Sequence, residues 1–182
     1  MINLDINKAW LEGVRHSPSP YCDERPQGVD IDLLVIHGIS LPPGKFGGPY
    51  IDQLFTHKLD KNADPYFADI ADLQVSAHLL IRRTGELIQY VSFLQRAWHA
   101  GDSSFQGRCR CNDFSIGIEL EGCDTVPYTP EQYLQLRQVV AILRQAWPIL
   151  TDERIVAHSD IAPGRKTDPG QAFDWGLLYG TV

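Results

Sequence analysis

Cysteine, long apolar runs and excess positive charge are all scarce in this 182-residue sequence. Four cysteines are too few to build a disulfide scaffold in a chain of this length. No aliphatic run is longer than five residues, which is far shorter than the roughly 20 residues that a membrane span requires. The amino terminus also lacks the basic and apolar segments of a secretory signal. We therefore expect a cytoplasmic protein with reduced thiols and no membrane association.

The charge balance narrows the possible partners. Aspartate and glutamate number 23 against 16 lysine and arginine, so the formal net charge is −7. Such a chain repels nucleic-acid phosphates unless its basic residues cluster, and the longest basic runs are the pairs 82–83 and 165–166. A hydrophobic content of 43% is typical of a globular protein. We predict one domain spanning residues 1–182 that does not bind nucleic acid.

Strand patterns are interleaved with helix patterns along the chain. Residues 32–37, 75–81, 86–91, 114–121 and 154–157 have the apolar runs or alternation of strands. The second and third of these flank a turn that ends at Gly85 and predict a hairpin. In residues 114–121 the alternation places Gly117, Glu119 and Glu121 on one face.

The clearest helix is predicted to begin after Thr129, which forms a capping box with Gln132. An apolar stripe follows at spacings of three and four and ends at Pro148. Shorter helices are predicted at residues 6–14 and 50–55. Together these patterns predict an α/β fold with a central mixed β-sheet flanked by helices.

Two histidines follow predicted strands directly and are candidates for chemistry. His37 ends the first strand, and His158 follows residues 154–157. Ligands often bind at such strand ends in open α/β sheets. With Asp168, ten residues after His158 in a polar, glycine-rich segment, these side chains are a sufficient ligand set for zinc with one position open to water.

Hydrolysis at such a metal site would need a nearby general base and a cation that binds the oxyanion. Glu119 and Glu121 are candidates for the base, although a solvated sheet face explains their pattern equally well. Lys166 could bind the oxyanion of a tetrahedral intermediate.

Three further features stay open at this stage. His78 is either a hydrogen-bonded core residue or a site residue. A rival metal set, Cys109, Cys111 and Cys123, lacks the paired spacing of structural zinc sites. Residues 41–74, a long insertion rich in glycine and proline, are either a surface excursion or a mobile flap over a site.

Five motifs in order resemble the zinc-dependent N-acetylmuramoyl-L-alanine amidase family. They are LVIHGISLPPG at 34–44, VSAH at 75–78, RAWHAG at 96–101, CNDFSIGIELEG at 111–122 and HSDIAPGRKTDPG at 158–170. The resemblance covers about residues 10–178. It implies the fold shared by these amidases and the peptidoglycan recognition proteins.

The resemblance implies roles for individual residues. Position by position, it makes His37, His158 and Asp168 the ligands of one zinc ion. Glu119 matches the catalytic glutamate and Lys166 the lysine that stabilises the transition state. The resemblance places Trp98 and His99, and also Arg110, in the stretch that lines the muropeptide groove.

The resemblance also implies a reaction. Phage lysozyme-type relatives carry cysteine where this chain has Asp168, which favours the branch that acts on 1,6-anhydro-muropeptides. We expect a monomer that cuts the bond between the lactyl group and L-alanine during peptidoglycan recycling, with an effect on β-lactamase induction. The alternatives are an amidase that acts on intact peptidoglycan and a module that binds muropeptides without cutting them. Gly38 and Gln74 replace the family's asparagine and arginine, and we expect them to affect substrate preference.

Overall fold

The computed structural model describes residues 2–180. Within that range twelve strands occur, most of them short. In chain order they are β1 (Asn3–Asp5), β2 (Trp10–Glu12), β3 (Arg15–His16), β4 (Cys22–Glu24), β5 (Leu33–Ile39), β6 (Leu79–Ile81), β7 (Leu87–Gln89), β8 (Gln95–Ala97), β9 (Ser104–Phe105), β10 (Arg108–Cys109), β11 (Ser115–Glu121) and β12 (Ile155–Ala157).

Four α-helices and three short 3₁₀ helices connect the strands. The α-helices are α1 (Tyr50–Phe55), α2 (Pro130–Ala146), α3 (His158–Ile161) and α4 (Trp175–Tyr179), and the 3₁₀ helices are Pro65–Asp69, Cys111–Asp113 and Asp152–Arg154. Among the described residues, no helix combines the length and apolarity that crossing a bilayer demands.

Six strands form the central sheet in the order β12-β5-β11-β6-β7-β3. The neighbouring pairs are parallel except β6 and β7, which form an antiparallel hairpin. The predicted mixed sheet is therefore confirmed. Because β12, β5 and β11 run in one direction, their carboxyl ends meet at the same edge of the sheet.

The two long central strands are covered on both faces. Leu34 and Ile36 of β5 face an apolar core that also contains the buried stripe of α2. Leu33 and Val35 face a second cluster that contains Ala100. The side chains of a strand alternate between its two faces, so His37 continues the face of Leu33 and Val35, away from α2.

The sequence located α2 closely. The Thr129 side chain accepts a hydrogen bond from Gln132 N at 3.2 Å, while Gln132 Oε1 accepts one from Thr129 N at 3.0 Å. This reciprocal capping box confirms the predicted start of the helix. The short helix predicted at 50–55 is also confirmed.

The helix predicted at residues 6–14 is wrong. This region forms the hairpin of β1 and β2, because the Asp5 carboxylate accepts hydrogen bonds from the backbone of Asn7 and Lys8 at 3.0 and 3.4 Å. Ala9 then adopts a left-handed conformation with φ of 52°. A side chain that binds nearby amides competes with helix formation. The strands predicted at 75–81 and 86–91 do pair, but over three residues each.

The long segment 41–74 packs against the domain over much of its length. Its buried residues join a cluster on one face of β6 and β7; they are Leu41, Ile51, Leu54, Phe55, Leu59, Phe67 and Ala71. Most of residues 42–49 and 60–66 is exposed or half-buried between these contacts. Any flap motion is therefore expected in the exposed stretches rather than in the whole segment.

Candidate active site

The shared edge of the parallel strands brings together the two histidines predicted as metal ligands. His37 is the fifth residue of β5, and His158 follows β12 directly as the first residue of α3. Both side chains are almost fully buried. Asp168 reaches them from the loop after α3, and that loop is tied back by a hydrogen bond from Ser159 N to Asp168 O at 3.1 Å.

Three polar atoms from these residues converge. His37 Nδ1 lies 2.9 Å from His158 Nδ1, and Asp168 Oδ2 lies 3.2 Å from the first and 3.0 Å from the second. Among residues 2–180 this is the one group of at least three histidine, cysteine or acidic side chains with ligand atoms close enough to share a metal ion. The rival cysteines are free thiols.

The surrounding hydrogen bonds determine which ring nitrogen of each imidazole carries a proton when the ring is neutral. His158 Nε2 is 3.2 Å from Ala100 O, which only accepts, so Nε2 carries the proton. Ser115 donates its hydroxyl proton to Cys111 O at 2.6 Å, so Ser115 Oγ accepts from His99 Nε2 at 3.2 Å. His99 Nδ1 therefore accepts from His37 Nε2 at 2.9 Å. Both Nδ1 atoms present lone pairs to the centre.

This donor set fits zinc. Two imidazole lone pairs and a carboxylate oxygen in mutual contact repel one another unless a cation lies between them. A tetrahedral zinc ion with bonds of about 2.0–2.1 Å holds neighbouring ligand atoms about 3.3 Å apart, close to the separations found here. Burial lowers the pKa of His37 to about 4, which keeps the imidazole neutral for metal binding at physiological pH.

Glu119 lies beside these ligands. It pairs in register with His37 across the parallel strands β11 and β5, and both residues line one cavity at this edge of the sheet. The residue is 9% exposed, and its Oε2 has no hydrogen-bond partner within the described part of the chain. Burial, reinforced by the charge of Asp168, raises the pKa of the Glu119 carboxyl well above its usual value, and Lys166 partly opposes this. Such a carboxylate is suited to take up a proton.

The cavity at this edge has a volume of about 610 Å³. One part of its wall is polar and contains the three ligand residues, Glu119 and the exposed residue Lys166. The apolar lining residues come largely from segment 41–74, together with Trp98. A cavity with an apolar wall and a few converging polar groups is the usual form of a small-molecule site.

The three predicted groove residues have different surroundings in the structure. Trp98 lines the cavity and is held by a hydrogen bond from its Nε1 to Asp23 at 3.2 Å. His99 also borders it, but both ring nitrogens are bonded to His37 and Ser115. Arg110 lines a smaller depression that Trp98 also borders, and its side chain is exposed.

The side chain of Tyr128 leaves little room for a side chain at position 38. A Cβ added to Gly38 would lie 2.3 Å from the phenol oxygen of the buried Tyr128, far inside contact distance. That phenol donates a hydrogen bond to Pro169 O at 2.9 Å, next to the ligand Asp168. Any side chain at position 38 therefore requires Tyr128 to move. Gln74, the other departure from the motifs, is exposed.

His78 is a core residue. It is fully buried, its Nδ1 accepts from Gly117 N at 3.0 Å, and its Nε2 donates to Gln95 O at 3.0 Å. Burial, with the adjacent Arg25 charge, lowers its pKa to about 3, so the ring stays neutral. Of the two interpretations that the sequence left open, the structure supports the structural one.

Comparison with known proteins agrees with this site. The sequence profile of the N-acetylmuramoyl-L-alanine amidases matches residues 27–171, most of the chain and all of the proposed metal ligands. The chain belongs to this family. It is therefore a hydrolase of the class that cuts amide bonds, and the predicted fold and enzyme class are confirmed.

Several amidases of this family resemble the chain closely. The 1,6-anhydro-N-acetylmuramyl-L-alanine amidase AmpD of Escherichia coli K12 is 59% identical over 170 residues, which cover 93% of this chain and 92% of that protein. The crystal structure of a selenomethionine AmpD derivative has a TM-score of 0.92 at 58% identity, with 96% of each chain covered. The E. coli amidase AmiD, in complex with the substrate anhydro-N-acetylmuramic acid-L-Ala-D-gamma-Glu-L-Lys, has a TM-score of 0.60 at 32% identity, covering 85% of this chain and 59% of that one.

Proposed function

We propose that this protein uses zinc to hydrolyse the amide bond between the lactyl group of 1,6-anhydro-N-acetylmuramic acid and L-alanine of the stem peptide. The observation that carries the proposal is the convergence of two Nδ1 atoms and one carboxylate oxygen beside a buried glutamate whose Oε2 has no hydrogen-bond partner among the described residues. The substrate class is supported by the similarity to AmpD proteins over nearly the whole chain.

The proposed ligands are His37, His158 and Asp168. Zinc bound there would supply a Lewis acid and lower the pKa of a bound water to about 7. Among the described residues three protein ligands would hold the ion, a number typical of catalytic zinc sites, in which water is the fourth ligand.

Glu119 handles the proton in this proposal. It receives a proton from the attacking water and delivers it to the nitrogen of the departing L-alanine. The water oxygen becomes bonded to the lactyl carbonyl carbon, the carbon–nitrogen bond breaks, and the second proton of the water also passes to the nitrogen, so the products are a lactyl carboxylate and a peptide with a free ammonium group. Within residues 2–180 no hydrogen bond engages Glu119 Oε2, and the side chain lines the cavity, which supports a role of this carboxylate in both transfers.

Lys166 stabilises charge in this proposal. Its exposed side chain lines the same cavity as Glu119 and Asp168. An ammonium group placed against the carbonyl oxygen stabilises the negative charge that develops there in the transition state. Lys166 thus acts on the oxygen, whereas Glu119 acts on the water and the leaving nitrogen.

Groove residues would hold the fragment. Trp98 offers an apolar ring at the cavity wall, and the exposed guanidinium of Arg110 lies within the adjoining depression, where it could pair with carboxylates of the stem peptide. His99 borders the groove and is also proposed to contact substrate. A monomeric, cytoplasmic enzyme of peptidoglycan recycling that influences β-lactamase induction remains the prediction from the sequence.

Mass spectrometry tests the reaction directly. Purified protein is incubated with 1,6-anhydro-N-acetylmuramyl-tripeptide, with and without a chelator and after zinc is restored. We expect release of free tripeptide that the chelator abolishes and zinc recovers. Release that is unaffected after complete zinc removal would contradict the zinc mechanism.

The same preparation separates the alternatives. Incubation with intact peptidoglycan tests the wall-degrading activity, and we expect little release of peptide from it. An intact fragment in the presence of zinc-loaded protein, with cleavage of intact peptidoglycan, would refute the proposed substrate. Saturable binding of the fragment without cleavage would instead indicate a binding module.

A further inference from the structure

Asn112 connects both proposed metal histidines to one point of the fold. It lies in the 3₁₀ helix Cys111–Asp113, just before β11, and its side chain is partly buried. Its Oδ1 accepts a hydrogen bond from His99 N at 3.1 Å and another from Ala100 N at 2.8 Å. One side-chain oxygen thus fixes two successive peptide groups.

Each of those two residues contacts a different metal histidine. The His99 ring accepts from His37 Nε2 at 2.9 Å, and Ala100 O accepts from His158 Nε2 at 3.2 Å. These contacts determine that both imidazoles present Nδ1 to the metal position. Outer partners of this kind orient metal ligands and raise their basicity.

We propose that Asn112 is a positioning residue that holds the His99–Ala100 dipeptide and thereby presets both histidines for zinc. The inference depends on the zinc site in the proposed function and extends it to a residue that touches neither metal nor substrate. Without the Asn112 carbonyl, the amides of His99 and Ala100 lose their acceptor and the dipeptide gains freedom to rotate.

The surroundings make Asn112 a rigid support. Arg25 donates to Asn112 O and Asp113 O at 3.1 Å each and to Ser115 O at 2.8 Å, which fixes the turn from inside the protein. On the other side, Arg165 donates to Ala100 O at 2.6 Å. Removal of the Asn112 side chain leaves those contacts in place, so its loss is expected to loosen the dipeptide rather than unfold the domain.

A matched pair of variants isolates the acceptor. Asn112→Leu keeps the approximate shape but removes the acceptor, whereas Asn112→Asp keeps an oxygen at the same place. Each full-length protein is loaded with zinc, and its affinity is measured by competition with a chromogenic chelator. We expect about 10–100-fold weaker zinc binding for Asn112→Leu and a change within about threefold for Asn112→Asp.

Two further measurements separate positioning from general damage. Thermal unfolding of the metal-free variants reports whether the fold has been weakened. The visible absorption spectrum of the cobalt-substituted proteins reports the geometry of the ligands. We expect Asn112→Leu to change the cobalt spectrum while the melting temperature of the metal-free protein stays close to wild type.

The outcomes distinguish this inference from the proposed function. If wild type itself binds no zinc, the proposed function fails. If wild type binds zinc and Asn112→Leu binds it equally well, or if Asn112→Asp is weakened as much as Asn112→Leu, only the role of Asn112 is overturned.

A measurement on wild type keeps the inference testable if Asn112→Leu does not fold. Ring ¹⁵N NMR of the zinc-loaded protein should show protons on Nε2 of both His37 and His158, and a proton on Nδ1 of either would overturn the inference. The smaller variant Asn112→Ala then replaces Asn112→Leu, with the same expected weakening of zinc binding.

Discussion

Two glutamates on one face of β11 have opposite environments. Glu121 Oε1 accepts from Gly47 N at 2.6 Å and from Arg82 Nη1 at 3.3 Å, and its Oε2 accepts from Arg83 N at 3.2 Å. Glu119, two residues earlier, has no partner for Oε2 among the described residues. Both side chains are buried.

The contrast separates a structural carboxylate from a functional one. Glu121 binds the start of segment 41–74 and the loop after β6 to the central sheet, so its burial is compensated. Burial of a carboxylate without compensation costs stability. Glu119 keeps that cost, and its side chain lines the cavity in which the proposed reaction takes place.

The largest difference is expected in turnover. Glu119→Ala should lower turnover at least about 100-fold while zinc remains bound, because the proton carrier is lost and the ligands are not. The matched variant Glu121→Gln should stay within about tenfold of wild type. Mass spectrometry of tripeptide release, with zinc content measured in the same samples, checks both. Equal losses in the two variants would remove the distinction between the glutamates.

The second prediction concerns Lys166, which lines the same cavity as Glu119. Lys166→Met removes the proposed oxyanion partner and should lower turnover by about 100-fold with zinc affinity preserved. It also removes the cation that lowers the pKa of Glu119, so the acidic limb of the pH–rate profile should move to higher pH. If the variant has the turnover and the pH–rate profile of wild type, Lys166 takes no part in the reaction.

We expect substitution to lower the free energy of unfolding at Glu121 but not at Glu119. Glu121→Gln weakens the buried pair with Arg82 and places an amide N–H against the donors Gly47 N or Arg83 N. Loss of a hydrogen-bonded, charged acceptor costs about 1.5–3 kcal/mol in the free energy of unfolding. Urea unfolding of the metal-free protein measures this, and a cost near zero would show that Glu121 is not a structural anchor.

Glu119→Gln should stabilise the metal-free protein at high pH. Burial raises the folded-state pKa of Glu119, so above the unfolded value of about 4.3 the folded protein retains a proton that the unfolded chain has released. The contribution of Glu119 to stability is therefore full below that pH and is lost as pH rises through the folded pKa. We expect the melting temperature of the variant to exceed that of wild type by about 2 °C or more at pH 8, and by less at pH 5.

The smallest effect concerns motion of segment 41–74. Hydrogen exchange should be slow in α1, whose apolar side is buried, and faster in the exposed residues 60–66. Addition of substrate should slow exchange in those exposed residues if they cover the site. Uniformly slow exchange with and without substrate would exclude a flap.

Glu121→Gln should speed hydrogen exchange at Gly47, whose amide donates to Glu121, and should leave the exchange rates in α1 unchanged.

Local patterns in the sequence located much of the architecture. The apolar run of β5, the alternation of β11 and the capping box at Thr129 each arise from neighbouring residues, and each was found in the structure. The helix predicted at residues 6–14 failed because the Asp5 side chain and the left-handed Ala9 form a hairpin turn. Periodicity carries no information on either contact.

The sequence by itself determined the strand-end histidines, the polar segment with Asp168 and the motifs of the amidase family, because these depend on residue type and order. Only the tertiary structure decided which glutamate is compensated, since the partners of Glu121 come from segment 41–74 and from the loop after β6. It alone also revealed the contacts of Asn112 and the close approach of Tyr128 to Gly38. Hydrogen bonds and close contacts between residues far apart in the chain exist only after the sheet has assembled.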